Sequence, residues 1–554
     1  MNKKLNLKWV ADTIGDEYKL WKHGDIVKIQ AQTGTGKTFF IKNTLIPYLK
    51  SYERLIYVCN RTNLKRQLKK DLLFQFGEEI PYLKNKNNEY ELDDEGNRIL
   101  DINAIDSITT INNITITSYH SIQSNMLDAE YNIDKKYQIG SYDYIVLDEC
   151  HYIFADGAFN NKCRLAFEAL IKNISFSSTT IFISATMEEI DEPISISINK
   201  YWSSRKPRIW NYTTGIDYSY VNTKYFKNLK DLILVIKNDK TNDKWLIFVS
   251  NLNDAEAIIE AVGKELCTII KAGDKNDEVK NIVNNSKFNA KILITTKAMD
   301  NGININDDKV TNIVIMAWDK ITFIQMLGRK RIDINNAQEI NLYINTRYKK
   351  SFEKKLELYN KKKQEVILFS EENNLFNRKY DNNLDSIGKL NDLFYRNKEN
   401  GQWSINKVGD LRLDIDKCFA EEMVKKFKKD CNFAFIKEQL KWLNLKHTFD
   451  ESNLLEDVIL QDDIETLENY LNTMLDKRLY CEEQQKLSDL IIKELLTISK
   501  DVDYRTKKLK RSTIQSILTK QLNLPYVVSE TKREDRIVDG KRIRKNYIIV
   551  SKMI

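Results

Sequence analysis

Ile26-Val27-Lys28-Ile29-Gln30-Ala31-Gln32-Thr33-Gly34-Thr35-Gly36-Lys37-Thr38 decides how this chain is read. A β-branched apolar run breaks into a loop with two glycines and closes on Lys-Thr. Glycines let the backbone wrap tightly, so successive N–H groups and the next helix's N-terminus point at phosphate oxygens. In such a loop Gln32, Thr33, Gly34, Thr35 and Gly36 cradle phosphates, Lys37 bridges the β- and γ-phosphates, and Thr38 ligates Mg2+. The stretch departs from GxxxxGK[ST] at Ala31, which stands at the first glycine.

Outward from the loop, short runs rich in Ile, Val, Tyr and Thr alternate with helical stretches. Ile26–Ala31, Leu55–Cys59, Ile114–Thr117, Tyr144–Leu147 and Thr180–Ser184 read as buried parallel strands. The pattern restarts at Trp245–Ser250, Cys267–Ile270, Lys291–Thr295 and Asn312–Ala317. The predicted fold class is therefore α/β, with two tandem parallel-sheet domains over 1–205 and 206–348. The stretch 84–103 reads as a polar insertion loop. Beyond Arg347 the alternation ends: 349–480 is predicted as a helical accessory region, with helices over 349–368 and 417–445. The segment 481–554 is predicted as a separate basic domain.

A second constellation is Tyr144-Ile145-Val146-Leu147-Asp148-Glu149-Cys150-His151. A carboxylate at the end of a buried strand lies where the phosphate loop opens. Asp148 is placed to hold Mg2+, and Glu149 to orient and deprotonate an attacking water.

With these two motifs in order, the chain resembles the superfamily 2 helicases of the DEAD/DEAH type, here with a DECH box, over Ile26 to Arg331. The resemblance implies two RecA-like domains and ATP with Mg2+ as cofactors. Ser184-Ala185-Thr186 is similar to the family's motif III. The stretch 291–302 is similar to motif V, with Thr296 and Gly302 at the family's spacing; it implies Thr296 on the nucleic acid and Gly302 at the nucleotide. Gln325-Met326-Leu327-Gly328-Arg329-Lys330-Arg331 resembles motif VI. That motif implies Gln325, Arg329 and Arg331 at the nucleotide, with Arg329 in the arginine-finger role. The family's last arginine falls at Ile332 here, one residue beyond Arg331. Such a QxLGRxR version is similar to phage and viral helicases of the origin-binding type. Asn60-Arg61 with Leu64 and Gln67 resembles motif Ia, and 115–120 resembles motif Ib. Both imply backbone contacts to nucleic acid from Arg61 and Thr117. No Phe/Gln adenine-recognition signature precedes the loop, and Trp21 is a candidate for stacking on the base.

Composition bounds the rest. The 554 residues are 42% hydrophobic and 30% charged, which fits several globular domains. No apolar run approaches the ~20 residues of a membrane span. Seven scattered cysteines without CxxC spacing predict reduced thiols in a cytoplasmic protein, and neither a disulfide nor a zinc framework. Residues 451–500 carry 5 basic and 12 acidic side chains, whereas 501–554 carry 14 and 6, a local excess equal to the chain's net +8. A basic end predicts a polyanion partner. Helices at 483–499 and 512–521, then strands at 526–528 and 546–550 turning at Asp539-Gly540, suggest a winged helix with Lys541, Arg542 and Arg544 on phosphates. The expectation is an ATP-dependent helicase or translocase, with DNA favoured over RNA. The alternatives are an origin-binding or replication-initiation protein and the ATPase subunit of a defence complex, which leaves room for a protein partner.

Overall fold

In a computed structural model, residues 2–92, 96–131, 139–157, 162–172, 176–201, 207–271, 274, 277–296, 304–381, 390–397, 401–455, 467–498, 509–522, 524–538 and 541–552 are described. They fall into two compact units, Met1–Glu456 and Asp457–Ile554.

The first unit holds two sheets. Strands β1 (Ile26–Gln30), β2 (Leu55–Val58), β3 (Thr110–Ile111), β4 (Ile114–Thr117), β5 (Tyr144–Asp148), β6 (Thr179–Ser184) and β7 (Ile209–Thr213) pair in the order β3-β4-β2-β5-β6-β1-β7. All pairs are parallel except β3 with β4. Strands β2, β5 and β6 are buried throughout their length, as strands covered on both faces must be. Because β6 lies between β1 and β5, the loop after β1 and the carboxylates ending β5 emerge at the same sheet edge.

Strands β8 (Val221–Phe226), β9 (Lys244–Phe248), β10 (Cys267–Ile270), β11 (Ile292–Thr295), β12 (Val310–Ile315) and β13 (Ile340–Asn345) form the second sheet, β10-β11-β9-β12-β13-β8, wholly parallel. The chain thus carries the two tandem parallel-sheet domains expected. Strands β3, β7, β8 and β13 are additions to the predicted set. In β7 the aromatics Trp210 and Tyr212 alternate inward with exposed neighbours, the signature of a strand buried on one face.

Three connections tie the two sheets together. Near the N-terminus, Lys3 and Leu5 donate backbone hydrogen bonds to Ala337 and Ile334 (3.0 and 2.8 Å), and Val10 donates to Thr35 O (2.9 Å). Leu5 lies in the second core and Val10 in the first. The covalent link between β7 and β8 is pinned by Gln32, whose side chain bonds both backbone groups of Asp217 (2.9 and 2.8 Å). The third is the helix Lys407–Asp430, about 36 Å long at 1.5 Å per residue. Its Val408 belongs to the first domain's core, while Met423 and Phe427 belong to the second's. It packs along the helix Lys349–Glu371, and beyond it Ala434–Trp442 adds Phe435 and Trp442 to the second core.

The predicted accessory region 349–480 therefore does not stand apart. A small aromatic core of Phe376, Tyr380, Phe394 and Trp403 surrounds a two-stranded ribbon, β14 (Phe394–Arg396) and β15 (Trp403–Ile405). The insertion at 84–103 is an irregular antiparallel ribbon: Tyr82 pairs Leu100, Lys84 pairs Tyr90 and Leu92 pairs Arg98, with the Arg98 guanidinium 4.0 Å from the Tyr90 ring.

The second unit runs helix Leu467–Thr473, β16 (Arg478–Leu479), helix Cys481–Ile498, helix Arg511–Ser516 continuing to Gln521, β17 (Tyr526–Val528), β18 (Lys532–Val538) and β19 (Lys541–Lys552). Its sheet order is β16-β19-β17, antiparallel, and β18 and β19 form a hairpin. The unit begins before the expected boundary at 481, because Leu467, Tyr470 and Leu471 pack into one core with Ile514, Ile517, Ile548 and Val550. The turn Asp539-Gly540 lies outside the described residues. Among the described residues no helix is long and apolar enough to cross a membrane.

Candidate nucleotide and strand site

A cleft of about 700 Å³ opens where the loop after β1 faces the second domain. Thr33, Gly34, Gly36, Lys37 and Thr38 line it, with Arg61, Asp148, Glu149, Asn304 and Arg331. Gly34 and Gly36 take φ of +92° and +82°, the left-handed region open to glycine, so the loop can fold over a phosphate. The side chains of Gln32 and Thr35 are buried and brace the loop: Gln32 anchors Asp217, and Thr35 Oγ1 donates to Gln32 O (2.8 Å).

The carboxylates sit at the end of β5, deep beneath the loop. Tyr57 Oη donates to Asp148 Oδ2 (2.5 Å), and the Glu149 N–H donates to Oδ1 (3.0 Å). Glu149 is held at φ +49°, a costly conformation for a residue with a Cβ, and one that clusters at functional sites. Four side chains converge on it. Lys37 Nζ lies at 3.1 Å and Arg61 Nη2 at 3.0 Å, Gln325 Nε2 donates at 3.4 Å, and His151 Nδ1 lies 3.5 Å away. Burial alone would raise the Glu149 pKa, but the charges of Arg61 and Lys37 overcome it and hold the carboxyl well below its usual range. Asp148 goes the other way, raised by burial and then by the neighbouring Glu149 charge. His151 also meets Ser184 Oγ (2.9 Å), which meets Thr186 Oγ1 (3.3 Å), so the DECH box and the SAT stretch share one hydrogen-bond chain.

Across the cleft, the resemblance's motif VI is the helix Lys320–Leu327 and the turn after it. Gln325 Oε1 accepts from Arg61 Nη2 at 2.7 Å. Contact between the domains is close: a Cβ at Gly328 would stand 2.7 Å from Thr33 Oγ1, and one at Gly34 would stand 3.4 Å from Ile332 O. Arg331 lines the cleft, whereas Arg329, expected as the finger, is buried at 3% exposure and is not part of the lining. Burial, then the charges of Arg61 and Arg329, pull the Arg331 pKa down to about 10. The cleft is thus an unbalanced cationic wall beside two buried carboxylates. That donor set fits a triphosphate with a divalent cation between it and Asp148 and Thr38.

Arg61 was expected on a strand-facing loop and instead reaches the nucleotide cleft. Trp21, the candidate base platform, is buried with Tyr18, Phe40 and Tyr212 in the first core. Trp9 stands on the rim instead, its ring 3.1 Å from the Cβ position of Gly36. Asn304 was also missed; its buried Oδ1 has no hydrogen-bond partner. It stands two residues beyond the motif V stretch 291–302, outside any motif the sequence analysis used. Gly302 lies outside the described residues. Thr117 ends β4 half-buried, and Thr296 follows β11 beside a second cavity, away from the nucleotide. On β19, Arg544 is exposed with its Nε 3.2 Å from Asp535 Oδ1; Lys541 and Arg542 share that strand.

Residues 6–189 match the family model for the type III restriction enzyme, res subunit, and residues 224–332 match the helicase conserved C-terminal domain. No curated protein matches the chain. Among solved structures, the S. cerevisiae Dbp5 bound to RNA and ADP BeF3 is 18% identical, over 58% of this chain and 79% of that one, with a TM-score of 0.39. The Escherichia coli DEAH/RHA helicase HrpB is 12% identical over 61% and 42%, with a TM-score of 0.37. The Mycobacterium smegmatis helicase Lhr bound to ssDNA and AMP-PNP is 13% identical over 60% and 45%, with a TM-score of 0.39. The two family models follow one another on the two sheets whose facing edges make the cleft, and they span just over half of the residues; the chain belongs to the superfamily 2 helicases, ATP-dependent enzymes that act on nucleic acid.

Proposed function

We propose that this helicase works on DNA, coupling ATP hydrolysis between its two RecA-like domains to movement along one strand. The observation that carries the reading is the composite cleft, in which Lys37, Arg61 and Glu149 of the first domain meet Gln325 and Arg331 of the second. Lys37 takes the β- and γ-phosphates, and Glu149, kept ionised by its cationic neighbours, orients the attacking water and accepts its proton. Bound Mg2+, for which Thr38 and Asp148 are the fitting residues, would neutralise charge building on the phosphates. Arg331 stabilises the transferring phosphoryl group from the opposite domain. Arg61 and Gln325 link the two halves through Glu149, so loss of the γ-phosphate loosens the closure. Thr117 and Thr296 are assigned to the sugar–phosphate backbone of the strand, giving affinity without sequence reading.

The second unit supports DNA over RNA. Its helix–strand–helix–helix–strand–hairpin order and its β16-β19-β17 sheet fit a winged helix. The helix from Arg511 would then enter a major groove, and Lys541, Arg542 and Arg544 would meet phosphates. An A-form RNA major groove is too deep and narrow for such a helix. The same unit favours a second reading, a duplex-anchored initiation protein of phage or plasmid type, in which the anchor places the motor at a chosen site.

The test is the steady-state ATPase rate with no nucleic acid, with single-stranded DNA and with RNA. DNA should raise kcat most, and Lys37→Ala should abolish turnover. Equal stimulation by both polymers removes the DNA preference; a Lys37→Ala variant as active as the parent would sink the whole reading.

A further inference from the structure

Thr296 borders a second cavity, of about 370 Å³, whose lining shares no residue with the nucleotide cleft. Five parts of the first unit wall it. Ala155 comes from the helix after the DECH box, Ser250 and Thr296 from strand ends, Trp318 from the loop after β12, Lys355 and Tyr359 from the helix Lys349–Glu371, and Phe419 from Lys407–Asp430. The lining is mainly apolar and aromatic, and the volume suits one nucleoside.

The electrostatics of this cavity are incomplete. Lys355 Nζ, in the lining, lies 4.3 Å from the Trp318 ring; the Arg347 guanidinium, outside the lining, lies 4.4 Å from the same ring, and among the described residues neither forms an ion pair. Arg347 Nη2 donates to Ser250 Oγ at 2.7 Å, yet its buried Nε has no partner. Burial pulls the Arg347 pKa down to about 10 and lowers that of Lys355 as well, the effect of desolvated charge that no nearby carboxylate fully offsets. Two carboxylates in the same lining offset part of that cost for Lys355 without pairing with it: Asp416 holds Arg412 at 2.8 Å, and Asp319 accepts from the Thr322 N–H at 3.0 Å. Desolvating a cation without a counterion is costly, so a pocket built this way is complementary to an anion that arrives with an aromatic ring.

We infer that this cavity holds one nucleotide of the bound single strand, its phosphate on Lys355 and the Thr296 hydroxyl and its base against Trp318, Tyr359 and Phe419. The inference rests on the helicase reading above and extends it: the helix Lys349–Glu371, outside both matched family models, becomes part of the strand path. Arg412 then has a place in it. A further cavity of about 730 Å³ shares Asp319, Arg412, Asp416 and Phe419, so the Arg412–Asp416 pair partitions two compartments that a strand can occupy in turn.

The experiment is equilibrium binding of fluorescein-labelled dT20 by anisotropy across a salt series, with the full chain. Lys355→Gln should weaken binding roughly tenfold and flatten the log–log salt slope by about one. Lys355→Arg, which keeps the charge, should retain both, and the thermal midpoint of each variant reports whether it is folded. Wild-type affinity and slope in a folded Lys355→Gln overturn the assignment while leaving the helicase reading in place. A wild-type chain that binds neither dT20 nor U20 removes both. Protection of Lys355 from reductive methylation by thymidine 5′-monophosphate as complete as by dT20 would make this a free-nucleotide site and overturn the strand assignment.

Discussion

Arg329 and Arg61 are the two residues whose places linear order does not give. The register of motif VI puts Arg331 one position short of the family's last arginine, yet the turn after Leu327 delivers it to the cleft and leaves Arg329 buried outside the lining. Arg331→Ala should lower kcat by about 10³-fold or more with a small change in KM, the range for a trans-acting arginine. A matching loss in Arg329→Ala alone, with Arg331→Ala near normal, would return the finger to Arg329. Arg61 reaches a partner 264 residues away, and a long side chain at a strand end carries no sign of which way it points. The loop 31–38 and the Asp148-Glu149 pair were legible because their chemistry resides in backbone geometry and strand position, which sequence does record.

At the scale of elements, buried strands were readable wherever a continuous apolar run met a polar turn, as in β1, β2, β5 and β9. The helix Lys407–Asp430 was anticipated only from Lys417. Gly409, a helix-breaking residue on sequence grounds, hides its first turns, and the structure needs glycine there because a Cβ would stand 2.1 Å from Asp392 O. Two substitutions probe this helix at its two ends. Gly409→Ala should displace the ribbon that contacts it, and Met423→Ala should cost about 2–5 kcal/mol as a cavity in the second core. Both should lower the thermal midpoint of the first unit. If the helix is a passive cap, Gly409→Ala will leave ATP turnover intact; if it joins the domains as drawn, turnover will fall with it.

For the whole molecule, the second unit has its own core and its own sheet, so a truncation after Glu456 removes a complete body. The shortened chain should hydrolyse ATP at the basal rate but lose affinity for duplex DNA, measured by mobility shift. Undiminished duplex binding would remove the winged-helix reading. Neither the boundary at 456 nor the membership of 467–479 could be seen from charge, because the acidic stretch that precedes the basic tail belongs to the same fold. Within the first unit, three segments bridge the two sheets: one near the N-terminus, the one pinned by Gln32, and Lys407–Asp430. A body joined to another by one tether can swing anywhere; a body joined by three separate struts, one of them a rod that does not stretch, forms a closed linkage. On the proposed reading, such a linkage would confine the closure over ATP to a rocking about the rod's anchorages.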